Sequence, residues 1–127
     1  MAVLRRRPGA AAAAPTTPRA DGAVRFYATC PRGLAAALAE ELTALGAQEA
    51  RADDAGVSFE GPFELAYAAN LESRLATRIL WRQASFPYRN ENDIYEGAKA
   101  VRWHAHFGVD RTFKVETNAV KAPVKSL

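Results

Sequence analysis

The sequence predicts an α+β fold, and three observations carry the prediction. Apolar and polar residues alternate from Val24, in the period of a β-strand. A leucine stripe then recurs at helical spacing. Further short strand-like and helix-like stretches follow in turn, separated by glycine and proline. The chain has 127 residues, 49% hydrophobic and 24% charged. That composition excludes collagen-like, coiled-coil and fully disordered chains. A single cysteine, Cys30, excludes an intrachain disulfide framework. No stretch approaches the ~20 apolar residues that span a bilayer. Together these points predict a cytoplasmic protein with no membrane partner.

Residues 1–22 read as a disordered basic tail. Arg5 to Arg7, the Ala10–Ala14 run and three prolines give no amphipathic period. Order is expected from Ala23. Val24, Phe26 and Ala28 alternate with Arg25, Tyr27 and Thr29 as a strand, and Cys30-Pro31-Arg32-Gly33 turns the chain. Residues 34–45 form a helix in which Leu34, Leu38, Leu42 and Leu45 make one buried stripe, with Gly46 as C-terminal cap. Two strands follow: 47–52, then one around Val57 and Phe59, joined by the Asp53–Gly56 turn. Gly61-Pro62 stops the second and opens a helix over 63–73, with Phe63, Tyr67 and Leu71 on its inward side. Residues 75–86 fit a helix by the Leu71, Leu75, Ile79 spacing and a strand by alternation. Their β-branched and aromatic content favours the strand, ending before Pro87.

The order β-α-β-β-α-β is that of a ferredoxin-like domain, two helices over one face of a four-stranded antiparallel sheet, expected here over residues 23–87. A second unit, 88–127, begins with a helix capped by Asn92 or Asp93, runs to Arg102 and places Ile94, Ala98 and Val101 inward. A short helix over 103–107, ended by Gly108, and a strand over 112–117 follow. Two helices and one strand leave two open strand edges, so this unit reads as incomplete.

Charge is distributed unevenly. Residues 23–73 hold three basic and eight acidic side chains, and residues 74–127 hold ten basic and five acidic ones. A module with one acidic and one basic half can orient on a polyanion. Trp81, Phe86, Tyr88, Tyr95, Trp103 and Phe113 are interleaved with the later cations. RNA-binding surfaces use cations on phosphates and rings on unstacked bases. The candidate RNA contacts are Arg89, Lys99, Arg111, Lys114, Lys121 and Lys125, with Lys121 and Lys125 favoured because they lie in the polar segment after the last strand.

Enzyme signatures are scarce. No Gly-x-Gly, Gly-Lys-Ser/Thr, Gly-x-Ser-x-Gly or Asn-Pro-Pro-Tyr occurs in the 127 residues. Cys30 at a strand-to-helix turn reads as a structural thiol, and His104 and His106 as surface or interface residues rather than metal ligands. Glu40-Glu41 reads as a solvated helix face and Asp53-Asp54 as a turn. No catalytic, cofactor-binding or metal residue is therefore assigned.

Several segments together resemble the THUMP-domain RNA methyltransferases, of the bacterial 23S rRNA guanine-N2 kind. They are Phe26 to Leu34, Gly56 to Gly61, Ala69-Asn70-Leu71 with Ser73-Arg74-Leu75, Asp93-Ile94-Tyr95, Trp103 with Phe107, and Asp110 to Val115. The resemblance runs in order over residues 23–127. It implies a ferredoxin-like domain, a THUMP domain and, in the full-length family, a catalytic domain that binds S-adenosylmethionine. It also implies structured RNA, 23S rRNA, as partner, with a methyltransferase domain in trans as a second one. On this reading the chain is the RNA-delivery portion, truncated and inactive alone. The competing reading is a ferredoxin-like module that binds a protein or a small regulatory ligand.

Overall fold

The computed structural model describes residues 22–118 and Ala122. The expected tail, apart from Gly22, lies outside the described residues, as do Lys121 and Lys125. The chain divides into two compact units, and among the described residues the break falls between Arg82 and Gln83.

In the first unit the elements run β1 (Val24–Thr29), α1 (Ala35–Ala44), β2 (Gln48–Ala52), β3 (Gly56–Gly61), α2 (Glu64–Glu72) and β4 (Arg78–Trp81). The sheet is antiparallel in the order β2-β3-β1-β4. This is the ferredoxin-like arrangement: β1 and β3 in the centre, consecutive strands β2 and β3 as a hairpin, and the two β-α-β crossovers interleaved. Register assigns the faces. Phe26 pairs with Phe59 and with Trp81, and Ala28 with Val57 and with Ile79, so these side chains share the face under the helices. Tyr27, Ser58 and Leu80 share the opposite face.

The core is made of Phe26, Ala28, Val57 and Phe59 from the sheet with Leu38, Leu42, Leu65 and Ala69 from the helices. Phe26 and Phe59 stack with ring centroids 5.3 Å apart, each 1% exposed. Of the predicted leucine stripe, Leu38 and Leu42 are fully buried, Leu45 is half-buried and Leu34 is exposed, because Leu34 precedes the first helical residue. The end of α1 is a Schellman cap. Gly46 N donates to Thr43 O at 3.0 Å and Ala47 N to Leu42 O at 2.9 Å, with Gly46 at φ 105°, where a Cβ would be strained.

Three expectations need correction in this unit. Tyr67 and Leu71 do not face the core; they lie on the outer side of α2, while Leu65 and Ala69 are buried. Phe63, the residue before α2, sits at the rim of the core, its ring centroid 6.3 Å from that of Phe26 and 4.9 Å from that of Trp81. Leu65, Ala66 and Ala69 give the helix a slim side that can approach the sheet closely, and bulky rings there would hold it away. The strand expected over 75–86 shortens to β4. Backbone bonds from Thr77 N to Thr29 O (2.7 Å) and Arg82 N to Arg25 O (2.9 Å) mark the limits of its pairing with β1. Glu41 is not merely a solvated residue. Its carboxylate accepts from Ser73 Oγ at 2.6 Å and from Arg74 N at 2.9 Å, tying α1 to the turn that leaves α2. These bonds, the Ser73 hydroxyl first, hold the Glu41 carboxyl below its ordinary range. Asp53 does form a turn: its Oδ1 accepts from Ala55 N, Gly56 N and the Tyr27 hydroxyl at 2.8, 3.1 and 2.8 Å.

The second unit contains α3 (Glu91–Lys99) and a 3₁₀ turn, Trp103–Ala105. The N-cap of α3 is Asn90, earlier than the expected Asn92 or Asp93. Asn90 Oδ1 accepts from Asp93 N at 2.9 Å while Asp93 Oδ2 accepts from Arg89 N at 2.8 Å. This reciprocal pair satisfies amides at the helix start, so Asp93 sits in the first turn and supports the cap. Ile94, Ala98 and Val101 are half-buried. Gly97 is required by packing, since a Cβ there would overlap the Phe86 ring. The expected helix over 103–107 tightens to the 3₁₀ turn, and residues 112–117 form no strand pairing. A strand exists only through a neighbour's backbone, and no other strand is present among the described residues of this unit. No helix among the described residues is long and apolar enough to cross a membrane.

Candidate nucleic-acid interface

The second unit carries four of the six candidate contacts within the described residues. Arg89 immediately precedes the Asn90 cap, and Lys99 closes the last turn of α3. A cation at that end is favoured by the helix dipole. The nine-residue helix linking them rises about 12 Å from its first residue to its last. Lys99 Nζ also lies 5.6 Å from the centre of the Tyr95 ring, one turn back. The other two are close in sequence on the segment after the 3₁₀ turn. Arg111 N donates to Gly108 O at 3.2 Å, and the Arg111 guanidinium stands 4.0 Å from Asp110. Lys114 Nζ pairs with Glu116 at 2.9 Å. All four side chains belong to exposed residues. Surface pairs of this kind contribute about 0–1 kcal/mol each, so they leave the cations available to phosphate.

Local charge is less one-sided than the chain halves suggested. Residues 83–118 hold five basic and five acidic side chains. Arg74, Arg78 and Arg82, part of the basic half, belong to the first unit. The second unit is therefore better described by where its cations sit than by its net charge.

Aromatic rings supply the other half of the surface. Trp103 is held in place by its indole N–H, which donates to Ala98 O at 2.8 Å. From it a row of rings runs outward: Trp103 to Phe107 at 6.2 Å, and Phe107 to Phe113 at 5.3 Å between centroids. Residues 106–108 and 110–113 line an open hollow of about 560 Å³ at the end of this row. Arg111 and Phe113 thus share one concavity, whereas Arg89 and Lys99 lie outside it. Sequence reasoning missed the hollow and gave Phe107 no role in it. The available signal was the spacing of Trp103 and Phe107, four apart and followed by Gly108.

Among the described residues no three His, Cys, Asp or Glu side chains gather as a metal site would require. Cys30 is a half-buried free thiol, and His104 and His106 are exposed.

Comparison with known proteins places these features. The family description "RlmL ferredoxin-like domain" matches residues 25–80, and "THUMP domain" matches residues 88–126. Ribosomal RNA large subunit methyltransferase K/L of Aeromonas salmonicida is 39% identical over 101 residues, covering 80% of this chain and 14% of the relative. The protein of the same name from Cellvibrio japonicus is 40% identical over 92 residues, covering 72% of this chain and 12% of the relative. A crystal structure titled as a predicted N6-adenine-specific DNA methylase from Listeria monocytogenes aligns with a TM-score of 0.62 at 27% identity. It covers 69% of this chain and 23% of that one. The chain thus spans about a seventh of the length of the curated relatives it matches.

Proposed function

From a chain that belongs to the family joining an RlmL ferredoxin-like domain to a THUMP domain, we propose an RNA-delivery role, with domain limits at 23–87 and 88–127. The substrate is 23S rRNA, presented for methylation at guanine N2 by a catalytic domain that is the second partner. The observation that carries this reading is the THUMP match over 88–126, the segment that holds Arg89, Lys99, Arg111, Lys114 and the ring row. Lys121 and Lys125 complete the proposed set of phosphate contacts.

S-adenosylmethionine would supply the methyl group in the longer relatives. The residues here do not fit it: no Gly-x-Gly occurs, and the β1–α1 turn, Cys30-Pro31-Arg32-Gly33, lacks the glycine-rich loop a Rossmann-type cofactor site uses. No step of methyl transfer is assigned to these residues; their part is to hold and orient RNA.

The test is binding of 23S rRNA fragments across a salt series. Six phosphate contacts predict a loss of affinity of about 300- to 2,000-fold between 50 and 200 mM salt. Absence of binding at the lowest salt refutes the proposal. A second reading, a protein-binding module, draws support from Tyr67 and Leu71 on the outer side of α2, 68% and 84% exposed. Binding by that apolar face would change little over the same salt series.

A further inference from the structure

The hollow beside Phe113 has a chemistry of its own. One wall is an aromatic face: Phe113 stands exposed at the end of a ring row whose inner members, Phe107 and Trp103, are held by packing and by the Trp103–Ala98 hydrogen bond. Another wall is polar. The Asp110 carboxylate lies over Gly108, where an added Cβ would come within 2.6 Å of its Oδ1. Thr112 and Arg111 also line the hollow. Its volume, about 560 Å³, falls within the ~300–1,000 Å³ usual for small-ligand sites, and it is a shallow hollow broadly open to solvent. A flat π face, a hydrogen-bond acceptor at its edge and a cation at the rim match the three parts of a nucleotide: ring, base edge and phosphate.

Resting on the RNA-delivery reading above, we propose that this hollow receives one unstacked base of a single-stranded RNA segment. The base stacks on Phe113, turns its amino or imino donors toward Asp110 and leaves its phosphate beside Arg111. Duplex RNA keeps its bases stacked and cannot enter, so the site reads single-stranded or looped nucleotides. Base–ring stacking of this kind is sequence-tolerant, and Asp110 biases it toward bases with a donor on their edge.

The experiment compares two labelled probes on the full chain, a single-stranded RNA oligonucleotide and a blunt, loop-free RNA duplex of equal length. Phe113→Leu keeps apolar bulk and removes the π face. It is expected to weaken single-strand binding by about tenfold and to leave duplex binding in place. Phe113→Tyr, which keeps the ring, retains the preference, and Lys114→Ala weakens both probes alike. An unchanged single-strand affinity in Phe113→Leu overturns the proposal. So does a self-association of the chain that Phe113→Leu abolishes while RNA preference stays put, because the ring row is then a protein contact. If neither probe binds the wild type at low salt, the delivery function itself fails, an outcome distinct from loss of the base site alone.

Discussion

The two units are stabilised differently. Among the described residues, every buried hydrophobic side chain except Tyr88 belongs to the first unit. There, four paired strands and two helices enclose Phe26, Phe59, Leu38, Leu42 and Val57 almost completely. The second unit is organised by local bonds: the Asn90 cap, the Trp103–Ala98 bond and short ring contacts. It leaves Phe113 and Val115 70% and 71% exposed. Long-range pairing builds a core, and local bonding presents side chains. The unit that hides its rings supplies stability, and the one that displays them supplies the candidate recognition surface.

The sharpest way to break that contrast is to remove one ring from each unit. Phe59→Ala is expected to cost about 3–5 kcal/mol, much of the stability of so small a core. Phe113→Ala should stay within about 0.5 kcal/mol, as exposed substitutions do. Urea unfolding followed by tryptophan fluorescence measures both; equal costs would mean that Phe113 is packed like a core residue.

A smaller effect sharpens the role of local bonding. Asn90→Ala removes the side-chain acceptor for Asp93 N and should destabilise α3 by about 1 kcal/mol. Amide exchange in α3 would then quicken by about fivefold, while exchange in β1 and β3 stays as in the wild type. Loss of protection in β1 and β3 as well would show that the units unfold together.

The smallest expected effect concerns Glu41. Its carboxyl is held below the ordinary value of 4.5, so the bonds to Ser73 and Arg74 favour the ionised form. That contribution is complete above pH 4.5 and is lost as pH falls through the lower folded-state value. Glu41→Gln should therefore flatten the acid limb of the stability curve of the first unit. Identical acid limbs in the two proteins would remove the charge from the account of this tie.

Much of the first unit was legible because its signals are local. Alternation in β1, the Leu38–Leu42 spacing, Gly46 after α1 and the Asp53–Gly56 turn each act within a few residues, and each is present in the structure. The helix over 63–73 was equally legible in length but not in orientation. Phe63, Tyr67 and Leu71 share one face by period, and Leu65 and Ala69 share another. Both are apolar, so periodicity could not choose between them. For the candidate site, residue types were readable and geometry was not. Arg89, Lys99, Arg111 and Lys114 are exposed as basic residues of a polar stretch should be. That only Arg111 meets Phe113 in a hollow depends on the turn from Gly108 to Arg111.

The sequence by itself determined the order of the six elements of the first unit and the resemblance to the family. Periodicity, capping and turn chemistry are properties of neighbouring residues, and motif order survives without coordinates. Tertiary structure alone decided which face of α2 meets the sheet, that Glu41 ties α1 to the turn after α2, and that among the described residues no strand forms over 112–117. Each of these depends on what stands opposite a residue in space: a slim helix side that fits the sheet, a hydroxyl within 2.6 Å of a carboxylate, or the presence of another backbone to pair with.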